Sequence, residues 1–79
     1  MGVLTSAQCR AARGLLDWTQ DALAESAGVS RSTVRDFEGG RHELHRGTQR
    51  QIVSALEDAG VLLVAADDAG PGVRLRAAG

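Results

Sequence analysis

Lysine is absent from this chain of 79 residues, and cysteine, proline, methionine, tryptophan and phenylalanine occur once each. Without lysine, every side-chain cation other than histidine is a planar guanidinium, a fork suited to bidentate contact with phosphate or guanine. A single cysteine, Cys9, cannot close an internal disulfide, which fits a reducing cytosol. No apolar run approaches about 18 residues and no signal peptide leads the chain, so a cytoplasmic protein is expected, neither membrane-spanning nor exported by a standard route. An excess of one charge is missing too. The formal net charge is -1, which argues against a strongly basic nucleic-acid coat. Internal repeats and low-complexity tracts are not evident.

What is there reads as one small domain. A chain this short buries about 60–65% of its unfolded surface, so stability is expected to be modest unless it dimerises. The near-neutral total hides a gradient. Residues 1–50 carry seven Arg against six acids, residues 51–79 two Arg against four acids, and residues 31–50 five Arg against three acids with His42 and His45 nearby. The mildly basic part of the chain is therefore local.

Thr5 and Gln8 have the spacing of a capping box that opens a first helix, with Cys9, Ala12 and Leu16 on one face. Gly14 costs that helix about 1 kcal/mol relative to Ala, and close packing is the one rationale for it. Trp18 closes the segment; a core anchor between the first two helices is a better reading than a stacking role. Thr19 caps a second helix over about Gln20 to Ala27, with Leu23, Ala24 and Ala27 inward. Gly28 supplies the left-handed residue that ends it, and Val29 plugs the turn. Ser30 caps a third helix, about Arg31 to Glu38, which Val34 and Phe37 hold down. Arg31, Ser32, Arg35 and Asp36 are left on the outer side, and Gly39-Gly40 is the stop. After a loop over residues 39–46, a second capping box, Thr48 with Gln51, predicts a fourth helix from about Thr48 to Ala59 with Ile52, Val53 and Leu56 as its apolar stripe. Residues 61–65 are a short apolar run, 67–72 are turn chemistry and 73–76 alternate apolar with charged, which predicts a β-hairpin. An isolated hairpin is marginal in water, so it must pack on the helices or pair with another copy.

Residues 19–38 thus form two short helices around a tight turn with Gly28 at the joint, the layout of a helix-turn-helix whose second helix can enter the major groove. With Gln20, Ala24, Gly28, Ser30, Thr33, Val34, Phe37 and Glu38 in register, followed by a Gly-rich loop and a fourth helix, residues 4–60 resemble the Cro/phage-repressor, or xenobiotic-response-element-like, family. The resemblance implies a mainly α fold, a four-helix repressor-like domain over residues 1–60, to which the residue pattern adds a short C-terminal β-hairpin and tail over 61–79. It implies that Gln20 hydrogen-bonds a phosphate, that Arg31, Ser32 and Asp36 point to base edges, that Thr33 touches backbone or base, that Arg41 lies along a phosphate strand, and that Arg13 pairs with Glu38. The hairpin stands where the family frequently has a fifth, dimerising helix; some small repressor-like proteins have a similar AGV…GVRL ending.

The residues give the chemistry independently. Gln20 at a helix start can set its amide and nearby backbone N–H groups against a phosphate. Arg31 can fork onto guanine N7 and O6, a contact worth about 1–3 kcal/mol in discrimination. Arg35, one turn on, reaches the next bases or the flanking phosphate, or else bridges to Asp36 or Glu38. Asp36 accepts from a cytosine amino group, or is simply solvated or paired with Arg. His42 and His45 read as solvated or phosphate-facing rather than as a metal site, because no Cys-x-x-Cys partner accompanies them. GGR at 39–41 is a helix stop, not a nucleotide motif, and no recognisable Ser-His-Asp order is present. No enzyme activity, cofactor or metal is expected. The expected function is sequence-specific binding of double-stranded DNA by a homodimer on an inverted repeat, as a transcriptional regulator of repressor type. The competing expectation is a protein-interaction module, such as an antitoxin or regulatory accessory, that uses the same fold on a protein partner.

Overall fold

The first helix begins where local chemistry says it must. Thr5 Oγ1 accepts the Gln8 backbone N–H and Gln8 Oε1 accepts the Thr5 N–H, both at 3.0 Å, which completes the capping box. In a computed structural model that describes residues 4–65 and 69–76, helix α1 spans Ser6–Leu16, α2 Gln20–Ala27, α3 Arg31–Glu38 and α4 Arg46–Asp58, followed by strands β1 (Val61–Val64) and β2 (Gly72–Leu75). Leu4 and Cys9 flank the first cap at the positions of a hydrophobic staple, and both are buried. Thr19 and Ser30 cap α2 and α3 as predicted, each accepting a backbone N–H three residues on. Gly28, at φ 72°, ends α2 in the left-handed region. Asp17 does the same for α1 at φ 56°, a conformation Asp tolerates better than most residues. The stretch is thus mainly helical with a terminal hairpin.

Every helix and the first strand contribute to one core. Cys9, Leu23, Val34, Ile52, Leu56 and Val61 are its most deeply buried larger side chains, with Leu16, Trp18, Val29 and Leu44 packed around them. Trp18 is therefore a core anchor. Gly14 is not a close-packing position: a Cβ there would meet nothing within 4 Å.

The start of α4 departs from expectation. The helix begins at Arg46, two residues before Thr48, with His45 at the N-cap and no side-chain capping bond. His45 instead supplies its carbonyl to the Gln49 N–H at 2.9 Å. With Thr48 inside the helix the predicted box has no N-cap to form on, and Gln51 Nε2 donates instead to the Ala27 carbonyl at 3.3 Å, covering the end of α2. Leu44, packed on the core just before the cap, fixes the loop ahead of this earlier start.

The hairpin packs on the helices. β1 and β2 are antiparallel in the register Val61↔Leu75, Leu62↔Arg74, Leu63↔Val73 and Val64↔Gly72. Val61, Leu63 and Val73 join the core side, while Leu62 and Leu75 are exposed. Gln8 latches the pair to α1, its Nε2 donating to the Val64 carbonyl at 3.1 Å and the Gly72 carbonyl at 3.0 Å. Arg76 closes the other end, from its backbone N–H to the Gly60 carbonyl at 2.7 Å. Of the turn expected over residues 67–72, Asp67 and Asp68 lie outside the described residues.

Candidate nucleic-acid interface

The working face of α3 is defined by what holds its back. Val34, Phe37 and Glu38 are buried, whereas Arg31, Ser32 and Arg35 are exposed and Thr33 and Asp36 half-buried. This division follows the helical period of eight residues in which only one side carries apolar groups. At the N-terminal end, Ser30 Oγ accepts the Thr33 N–H at 3.1 Å and lies 2.7 Å from Thr33 Oγ1 and 3.2 Å from Ser32 Oγ. The two arginines are held only loosely. Arg31 Nη1 is 3.5 Å from Asp21 Oδ2, with both side chains about two-thirds exposed, and Arg35 Nε is 3.4 Å from Asp36 Oδ1. Exposed pairs of this kind contribute little and yield readily to a phosphate or base edge.

Behind the helix, Glu38 is a buried hub. Its carboxylate receives Arg13 Nε on Oε2 and Arg13 Nη2 on Oε1, both at 2.8 Å, Gln20 Nε2 on Oε1 at 3.0 Å, and the Cys9 thiol on Oε2 at 3.2 Å. Burial acts to raise the Glu38 pKa, but the bonds from Arg13, Gln20 and Cys9 outweigh it and hold the carboxyl below its ordinary value. Cys9 is pushed the other way: burial first, then the neighbouring carboxylate, hold it as a thiol. The Arg13–Glu38 pair expected from the sequence is therefore present, and it ties α1 to the end of α3.

The site residues named from the sequence fall into three groups. Arg31, Ser32, Thr33, Arg35 and Asp36 share α3, with the first two and Arg35 outermost. Gln20 is drawn inward and half-buried; one amide N–H goes to Glu38, leaving the other and the unpaired first-turn backbone N–H groups of α2 as donors. Arg41 is apart from the α3 front. It is exposed in the loop, its backbone N–H on the Asp36 carbonyl at 2.8 Å, and it lines a depression of about 630 Å³ together with Arg46. Sequence reading did not single out Arg46, whose position at the first turn of α4 depends on the shifted start. Nor did it name Arg10, whose Nη1 donates to the Glu38 carbonyl and seals the end of α3. The i, i+3 spacing of Arg10 and Arg13 was the available signal.

Two comparisons bear on this arrangement. A family model described as a helix-turn-helix domain, of the xenobiotic-response-element and Cro-like type, matches residues 6–65. No curated protein matches the chain.

Proposed function

The chain belongs to the helix-turn-helix domain family, and from that premise we propose that it is a sequence-specific double-stranded DNA-binding protein that regulates transcription as a repressor. The observation that carries this reading is the asymmetry of α3, with Val34, Phe37 and Glu38 sealed behind it and Arg31 and Arg35 exposed in front. In this reading α3 lies in the major groove. Arg31, Ser32 and Asp36 face base edges, Thr33 touches backbone or base, and Arg35 spans the next bases and the flanking phosphate. Gln20 and Arg41 bind phosphate on either side and set the register.

Residues 1–60 carry the DNA contacts and residues 61–79 the self-association. A homodimer is favoured by the weak affinity of one small module and by exposed Leu62 and Leu75 on a two-stranded sheet with open edges. It would read an inverted repeat with half-sites about 34 Å apart. Because Val61 is a core residue, deletion of the tail is a poor test. Leu62→Ser with Leu75→Ser is the cleaner one, and a shift toward monomer in sedimentation is the expected result.

Selection of bound duplexes from a random pool tests the function. Recovery of a palindromic motif, lost in Arg31→Ala/Arg35→Ala and weakening steeply with salt, supports it. A second reading, an accessory that binds a protein through the same fold, is favoured by the net charge of -1. It prevails if no duplex is retained at low salt and one protein co-purifies.

A further inference from the structure

Both histidines of the chain line one groove beside α3. Ser32, Thr33 and Asp36 form one wall and His42, Glu43 and His45 the other, enclosing about 230 Å³. Among the described residues neither imidazole has a hydrogen-bond partner. Both residues are exposed, and His45, although it stands at the N-cap of α4, makes no side-chain capping bond.

The charges around them come from α3, the loop and α4. The groove lining itself holds two carboxylates, Asp36 from α3 and Glu43 from the loop, and no guanidinium. Arg35 on α3 offsets part of this through its 3.4 Å approach to Asp36. Arg41 from the loop and Arg46 from α4 line the neighbouring depression, to which α1 contributes only neutral Ser6. His42 and Glu43 line that depression too, so three guanidinium groups stand around the two carboxylates. With both imidazoles protonated, four ring N–H groups become donors. A phosphodiester strand following the front of α3 across this groove meets one N–H from each neutral imidazole and receives charge-assisted hydrogen bonds from the protonated pair.

We propose that His42 and His45 are phosphodiester-contacting residues of the DNA interface and act in their protonated form, so that binding DNA takes up protons. The proposal rests on the DNA-binding reading above and extends it to two residues outside the recognition helix. By linkage, proton uptake on binding makes affinity rise as pH falls.

The test uses the full chain and a fluorescein-labelled duplex of mixed sequence at fixed ionic strength, because phosphate contacts do not depend on base sequence. Affinity is expected to be about tenfold higher near pH 6 than near pH 8. The double variant His42→Gln/His45→Gln, with unchanged circular dichroism, is expected to reduce that ratio to about twofold or less. Calorimetry of the unaltered chain in two buffers of different ionisation enthalpy should register net proton uptake on binding. Duplex bound equally at both pH values, absence of proton uptake, or a double variant that keeps the full pH dependence overturns the proposal while leaving DNA binding intact. No duplex bound at either pH overturns both.

Discussion

Arg13 and Glu38 meet in a two-pronged ion pair between α1 and the last residue of α3, with both N–O distances at 2.8 Å. The partners are unequally placed: the Arg13 side chain is 20% exposed and the Glu38 side chain 2%. The consequences of losing one or the other therefore differ. Arg13→Ala strands a carboxylate in the interior and should cost about 3–5 kcal/mol at neutral pH, whereas Glu38→Ala leaves a guanidinium that reaches water and should cost less. Urea unfolding of the two variants measures the difference; equal losses would mean that the carboxylate finds other donors.

The same carboxylate sets an acid limit. Its pKa in the folded chain is lowered, so folding favours the ionised form. That contribution is fully present above the unfolded value, about pH 4.3, and is lost as pH falls through the folded value. The thermal midpoint is expected to hold between about pH 5 and pH 7 and to drop on further acidification. Glu38→Gln, less stable at neutral pH, should lose less over that acid range. A variant that falls as steeply would assign the acid sensitivity to other carboxylates.

Gly14 offers the opposite sign. It lies in α1 with an ordinary helical backbone and open space at its missing Cβ. Gly14→Ala should add about 0.5–1 kcal/mol through lower unfolded-state entropy, with no change in DNA affinity. A loss of stability in thermal unfolding would reveal a neighbour that the open space does not show.

Gln8 joins two jobs in one side chain, capping α1 through Oε1 and holding both strands through Nε2. Gln8→Ala removes both bonds that hold the hairpin on α1 and should cost about 1–3 kcal/mol. Hydrogen exchange should accelerate in β1 and β2 before it does in α2 and α3. Uniform acceleration would mean that the hairpin opens only with the whole domain.

The parts of this architecture that were legible in the sequence are those fixed locally. Thr5, Thr19 and Ser30 each accept a backbone N–H three residues on, so the starts of α1, α2 and α3 follow from residue type and spacing. The inward faces follow from the apolar period. The start of α4 did not follow: it lies two residues earlier, at Arg46, and Gln51 bonds Ala27, 24 residues back in the chain. The inward turn of Gln20 was equally hidden, since Glu38 lies 18 residues away. The α3 front was read correctly as a face, but the second wall of the adjoining groove was not. His42, Glu43 and His45 reach it only because the loop folds back along α3, and no periodic pattern records that path.

Cys9 is the chain's one thiol, wholly enclosed and donating its proton inward to Glu38. An alkylating dye therefore finds no target on the intact surface. Labelling must wait for the interior to part, and its rate counts those openings without any engineered probe. The molecule carries its own clock for breathing, set at the point where α1 and α3 are pinned together.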